Sequence, residues 1–481
     1  MKTIYRYILS GIMAVAMLGQ AGCKKSFLEI EPRGKVIAKK INDYDLLLSN
    51  LDLLNTNTDA QVPMGDEVAA VNPYFSGASL RTQRLFRWDD VVYEPTENNS
   101  EMTIPMTQIY LYNKVINEVM SVADGSEAQK KSLLAEARAG RAWCYFMLIN
   151  YFGKQYNEAT SATDEGYPII TEADVTQTSF KRATVREVYD FIVDDLKAAI
   201  PDLPQRLTWR LRMSKMAAEG LLGKVYVFMR KFDEALPLLN SAINGISNSD
   251  IPVGFYDYNV TFGAGGSFLP ISLFGPTAPT APHHQEVLFA KNFSNSWTLV
   301  GNEIIIPQST TDKYDAADHR LKLFSNLPYA GLAYAVPGGM RRIGAPGSVT
   351  PYGVYLPDLL LLRAECKARA NDLDGAKDDL EFLRAKRMSA NSSIPGGMNK
   401  EQMVKYIINE ERVREFAVLG YRWFDMRRMS VDPIFEGTVF THTLYNEDGS
   451  VKETYTLRPE RLVLRFGQKL MDANPGMNNN Q

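Results

Sequence analysis

Two stretches decide the fold. Leu222-Gly223-Lys224-Val225-Tyr226 runs on to Phe232-Asp233-Glu234-Ala235, and Arg363-Ala364-Glu365-Cys366-Lys367 runs on to Leu373-Asp374-Gly375-Ala376. Laid over one another they share a design. A small residue, Gly223 or Ala364, stands where two helices would cross closely. A short turn follows, an Asp lies near the next helix start, and Ala235 or Ala376 falls on its inner face. Tetratricopeptide-type helix pairs are built this way, with a period of about 34 residues. The two copies are far apart rather than in tandem, so the sequence supports helical hairpins more firmly than a regular superhelix.

Amphipathic periodicity spreads outward from these hairpins and predicts helices over about 105–123, 127–152, 184–200, 213–230, 233–245, 352–370, 373–388 and 401–419. In the third of these, Val185, Val188, Tyr189, Ile192 and Leu196 fall three or four apart, on one helical face. Thr184 followed by Glu187 is a capping box, which fixes the helix start. The predicted class is mainly α, with scaffold helices over about 105–245 and 352–428.

The intervening regions, about 51–104 and 246–351, are rich in Gly, Pro, Ser, Thr, Asn and aromatic residues, punctuated at Gly263 to Gly266, Pro276 to Pro282 and Pro337 to Gly347. Loops this long in a compact protein are usually functional. They carry Tyr74, Phe75, Trp297, Tyr329 and Tyr334 outside any helical period. Aromatic faces on such loops suit a platform for sugar rings or peptide side chains, and Asp66 and Asn302 are candidate polar partners beside them.

Composition excludes other classes. The 481 residues hold 53 Lys and Arg against 56 Asp and Glu, a net charge of -3, so no basic field draws nucleic acid. Four His and three Cys leave no room for a Cys-rich zinc module or a multi-disulfide scaffold. His283-His284 has no accompanying H-E-x-x-H or Cys pair and reads as an exposed loop pair rather than a metal site. Gly263-Ala264-Gly265-Gly266 lacks the Lys-Ser/Thr of a phosphate loop, and no G-x-S-x-G occurs. No metal, no cofactor and no catalytic constellation is expected.

At the N-terminus, Lys2 and Arg6 precede an apolar run from Ile8 to Gly19 that ends in Gln20, Ala21, Gly22 and Cys23. The run is shorter than the roughly 20 residues that span a bilayer, so residues 1–22 read as a secretion signal. Small residues before a Cys resemble a bacterial lipobox, which makes Cys23 the acylated first residue of the mature chain, carrying fatty chains such as palmitate. Residues 23–481 then form a single body that touches the membrane only through its anchor. Cys144 and Cys366 sit in apolar helical runs and read as buried thiols, although one bridge between them is compatible with an oxidising compartment.

Nearly end to end, the chain resembles the SusD/RagB outer-membrane lipoproteins. Phe27-Leu28-Glu29 with Pro32 and Gly34 is similar to the family's N-terminal segment. Ala135-Glu136-Ala137-Arg138 with Arg141-Ala142, Tyr145-Phe146 and Tyr151-Phe152-Gly153 is similar to its long early helix. Arg182-Ala183-Thr184-Val185, Arg212 to Ala218, and Asp318-His319-Arg320 follow in order. The most specific block is late: Tyr355-Leu356, Ala364-Glu365, Leu383-Arg384, Arg387, Glu411-Arg412, Glu415-Phe416, Gly420, Arg422, Phe424-Asp425 and Arg427-Arg428. One departure is Met106, where the family often has Trp.

The resemblance implies a helical scaffold of tetratricopeptide-like pairs with an inserted, loop-rich ligand-binding region. It implies a non-enzymatic, lipid-anchored protein of the outer membrane, facing outward, that captures oligosaccharide and passes it to a SusC-like TonB-dependent transporter. The RagB branch implies peptide as the alternative cargo. A glycan hydrolase would need a carboxylate pair in the loop cleft. The Glu411, Arg412, Glu415, Asp425, Arg427, Arg428 cluster is expected to be an ion-pair network that locks the last helix to its turn.

Overall fold

The computed structural model describes residues 38–481 apart from 57, 178 and 345–348. Cys23 and the leader therefore lie outside the described residues. The scaffold helices are Ser100–Glu118, Glu127–Phe152, Val185–Ala199, Lys215–Phe228, Phe232–Asn244, Leu356–Arg369 and Leu373–Arg387. Each packs on its neighbour in sequence within the hairpins. In addition, Phe232–Asn244 lies against Leu356–Arg369, so the two copies separated in sequence are stacked in space. The inserted loops leave and rejoin the scaffold at this junction.

The two hairpins close with the same backbone hydrogen bonds. Lys231 N–H donates to Tyr226 C=O at 2.8 Å, and Asp372 N–H donates to Lys367 C=O at 2.9 Å. The residue before each donor, Arg230 or Asn371, is left-handed, with φ of 61° and 66°. This is the Schellman-type stop that satisfies the last carbonyls of a helix. A Cβ on Gly223 would lie 2.8 Å from the Leu239 side chain, which is the close crossing expected of that position. Thr184 and Glu187 form the predicted capping box.

Several boundaries differ from expectation. The Ser100–Glu118 helix begins at an Asn99 N-cap, five residues before the predicted start, and carries Pro105 inside it. The segment predicted to open a helix at 352 is a strand, with the helix starting at Leu356 just before Pro357, where a missing N–H costs nothing. The predicted 401–419 helix is three pieces: α-helix Lys400–Tyr406, a π-helical turn Ile407–Glu411, and α-helix Arg412–Phe416. The wide turn lets Ile407, Ile408 and Glu411 all face the interior.

The loop-rich regions are also more structured than predicted. Their strands, with those of the C-terminal part, are β1 (Ala69–Val71), β2 (Val287–Ser294), β3 (Ile304–Ile305), β4 (Phe324–Ser325), β5 (Arg341–Arg342), β6 (Val349–Tyr355), β7 (Thr441–Tyr445) and β8 (Val451–Thr456). One sheet runs β3-β1-β7-β8, with β1 antiparallel to β3 and parallel to β7. β2 pairs with β6, and β4 with β5, both antiparallel. The first sheet matters most for function because β1 leads directly into Asn72-Pro73-Tyr74 and β3 directly follows Asn302 and Glu303.

The charged cluster is structural and wider than expected. Glu411 accepts from Arg320 at 2.8 Å, Arg384 at 3.0 Å and Arg414 at 2.9 Å, and Glu415 is shared by Arg320 and Arg387. A second knot joins Asp358, Asp425 and Glu365 through Lys224, Arg412 and Arg428. Burial pushes the Glu411 carboxyl upward, but the guanidinium groups of Arg320, Arg414 and Arg384 outweigh it and hold the group down at about 2. Arg427 is the exception to the predicted network. Its guanidinium donates to the backbone carbonyls of Leu462 and Gly153, and burial without a carboxylate pulls it down to about 10. Cys144 and Cys366 are free and buried, with the Cys144 thiol pushed up to about 12 by burial.

Candidate functional site

Four of the seven sequence-predicted contacts, Tyr74, Tyr329, Tyr334 and Asn302, lie together: Asn302 bonds to Tyr329 and Tyr334, and Tyr74 joins through Tyr334. The Asn302 side-chain Oδ1 accepts the Tyr329 N–H at 2.6 Å, and its carbonyl accepts the Tyr334 hydroxyl at 3.0 Å. The Tyr74 ring stands edge-on to Tyr334, with centroids 6.3 Å apart and planes at 78°. Its hydroxyl donates to Ala330 C=O at 3.3 Å. Tyr74 and Tyr334 are half-buried and Tyr329 is exposed, so the rings combine anchored edges with reachable faces. Tyr74 and Tyr334 sit on a small apolar base of Ala69, Val71, Ile305 and Val336, from β1, β3 and the loop that follows Tyr334.

The other three predicted contacts lie elsewhere. Trp297 is 2% exposed, and its Nε1 donates to Glu303 at 2.7 Å. Gly301 packs on the indole, so the ring underlies the platform loop and presents no face to a ligand in this conformation. Phe75 is buried edge-on against Phe86 at 5.0 Å. Asp66 is spent on Arg422, whose Nη2 donates to it at 3.2 Å. The loop signal picks out a region in which four of the seven residues are neighbours. It could not separate aromatics that face out from those that hold the loops down.

Residues outside the predicted set complete the site. Phe274 tilts against Tyr329 with centroids 5.5 Å apart, and Leu273, Val300, Leu327 and Leu332 are exposed nearby in sequence on the same loops. One side chain holds these loops together. Arg341, fully buried, donates through Nε to Leu327 C=O at 2.8 Å, through Nη1 to Leu299 C=O at 2.9 Å and through Nη2 to Leu273 C=O at 2.9 Å. A planar guanidinium is suited to this because its donors diverge in fixed directions. No sequence motif announces it, since its partners are backbone carbonyls in three separate segments.

Among the described residues no group of three or more His, Cys, Asp or Glu is placed to hold a metal ion. His283 is exposed as predicted, but His284 is not. Its ring packs against Tyr256 and Tyr355, and burial with the nearby Arg387 and Arg210 pulls it down to about 3. Among the described residues no helix is long and apolar enough to cross a membrane.

Comparison with known proteins agrees with this architecture at both ends of the chain. Residues 38–227 match a family model described as starch-binding associating with outer membrane, and residues 356–480 match the SusD family model. The chain is 21% identical to SusD-like protein P2 of Formosa agariphila, an alignment covering 96% of this chain and 98% of that protein. A SusD-like protein of Bacteroides ovatus is 26% identical over 233 residues, 45% of this chain and 38% of that one. A SusD superfamily structure from Bacteroides thetaiotaomicron superposes with a TM-score of 0.69 at 16% identity, covering 92% of this chain and all of that one. A SusD-like carbohydrate binding protein of Bacteroides vulgatus gives 0.65 at 15% identity, covering 92% and 98%. With the helical hairpins, the inserted loops and both family models in register along one sequence, the chain belongs to the SusD/RagB family.

Proposed function

We propose that this protein binds glycan at the outer membrane and is tethered there through Cys23, facing outward. The observation that carries this reading is the grouping of Tyr329 and Tyr334 on Asn302, with Tyr74 edge-on to Tyr334, at the loop-rich face. Tyrosine faces cover the apolar faces of sugar rings, while backbone and carboxamide groups between them offer hydrogen bonds. The family description, starch-binding associating with outer membrane, and the carbohydrate-binding relative point to the same ligand class. No catalytic step is assigned, because the buried carboxylates Glu411, Glu415 and Asp425 are held by arginines. The captured oligosaccharide passes to a SusC-like TonB-dependent transporter.

Affinity electrophoresis and calorimetry of the mature chain against a polysaccharide panel test this. A bound glycan whose affinity falls tenfold or more in Tyr329→Ala and Tyr74→Ala is the expected result. A glycan bound equally well by both variants would move the site away from the platform. Binding of peptides but of no glycan would reassign the cargo to peptide. A loss of transport in cells producing a chain with Cys23→Ser tests the tether.

A further inference from the structure

The charges around the platform are one-sided. Segments 72–78, 271–277, 295–307, 325–340 and 441–451 supply the three tyrosines, Asn302, Phe274 and the β7–β8 hairpin as far as its tip, and they contain no Lys or Arg; the one cation further along the hairpin, Lys452, stands beside Glu453. They do contain Glu303, Glu447 and Asp448. The hairpin belongs to the same surface: Gly449 packs against the Ala335 carbonyl, and Tyr445 packs on the apolar base shared by Tyr74 and Tyr334. Its tip therefore brings Glu447 and Asp448 to the edge of the platform loop.

The cation that does lie within the cluster cannot answer an anionic ligand. Arg341 is fully buried, and its donors are spent on three backbone carbonyls. Recruiting it to a sulfate or carboxylate would release the loops that carry Phe274 and Tyr329. An anionic ligand would also lose its hydration without a charge partner, and an unpaired charge taken out of water is costly.

We infer that the platform selects uncharged glycans and rejects sulfated or uronic-acid glycans, with the carboxylates at the β7–β8 tip and the buried Arg341 setting that preference. This rests on the glycan-binding reading above and narrows it. Recognition is then by ring faces and neutral hydrogen bonds, so binding carries little dependence on ionic strength.

The test uses the mature chain and its Tyr329→Ala variant in affinity electrophoresis against two sets of probes. The uncharged set is amylopectin, laminarin, glucomannan and arabinoxylan; the anionic set is alginate, polygalacturonate, dextran sulfate and carboxymethyl cellulose. The expected result is Tyr329-dependent binding within the uncharged set, changing less than twofold between low and high salt, with at least tenfold weaker binding across the anionic set. Tyr329-dependent binding of an anionic probe as tight as any uncharged one would overturn the charge preference while leaving the glycan reading intact. The absence of Tyr329-dependent binding in both sets would overturn the glycan reading and this inference with it.

Discussion

Arg320 reaches Glu411 across 91 residues of sequence and donates to its Oε1 at 2.8 Å, with both side chains out of contact with solvent. Arg320 also grips Asp318 and Glu415, and Glu411 also accepts from Arg384 and Arg414. The pair thus fastens the end of the inserted loops to the last scaffold helices. Glu411→Gln removes the buried charge that three guanidinium groups share, leaving Arg384 with no carboxylate partner. Breaking a buried pair from one side costs about 3–5 kcal/mol, so this variant unfolds at markedly lower denaturant than the native chain, with an unchanged denaturant slope. A stability equal to native would show that the network is replaceable.

The same carboxylates set the acid limit. Glu411 is held at about 2 against an ordinary 4.5, and Glu415, Asp358 and Asp425 are also held below their ordinary values by arginines or lysine that outweigh their burial. The folded state therefore binds fewer protons than the unfolded chain as pH falls from about 4.5 toward 2, and stability is lost across that window. Denaturation midpoints measured at successive pH values check it. Native stability that stays level down to pH 2 would contradict the ion-pair assignment.

Glu67 behaves in the opposite sense. Burial pushes its carboxyl up to about 8, the neighbouring Asp66 adds to the rise, and one of its oxygens has no hydrogen-bond partner. Between about 4.5 and 8 the folded state holds a proton that the unfolded chain has released, so stability falls as pH rises. Glu67→Gln keeps the shape and the acceptor for the Val418 N–H without the titration. It gains about 4 kcal/mol at pH 8 relative to the native chain and little at pH 4. An equal effect at both pH values would mean that Glu67 does not titrate in this range.

What could be seen in the sequence follows from how local each feature is. The paired hairpins were legible because Gly223, Ala235, Ala364 and Ala376 stand at matching offsets, and the structure repeats even their turn hydrogen bonds. The first long helix starts five residues before the amphipathic pattern predicted, and the chain carries Pro105 inside it, about one turn from its start. Aromatic residues without helical period pointed to the loops where Tyr74, Tyr329 and Tyr334 are grouped with Asn302. Arg341 was not legible, because its role depends on three carbonyls brought together only by the fold.

Trp297 shows the same limit from the other side. Its indole is buried and its N–H is satisfied by Glu303, six residues on, so it acts on the ligand only through the loop above it. Trp297→Phe keeps most of the packing and loses one hydrogen bond to a carboxylate, a cost of about 1.5–3 kcal/mol. Trp297→Ala leaves a cavity and costs about 3–5 kcal/mol. The expected outcome for Trp297→Phe is lowered stability with glycan affinity within twofold of native. A tenfold affinity loss in a chain that melts normally would return Trp297 to the binding surface.

Arg341 is a positioning residue, and substitution separates its role from general stability. Arg341→Met keeps much of the buried apolar stem but leaves the Leu273, Leu299 and Leu327 carbonyls without their donor. Arg341→Lys retains the charge, but one ammonium group cannot serve three carbonyls in a fixed plane as the guanidinium does. Both variants are expected to speed limited proteolysis and amide exchange in residues 326–334 while the helices around Leu222 and Ala364 exchange as in the native chain. Because these loops carry Phe274 and Tyr329, affinity for the bound glycan falls with the same variants even at temperatures where the scaffold is intact. Exchange that rises equally in the scaffold and the loops would show Arg341 to be a stabiliser of the whole fold rather than the clamp of the platform.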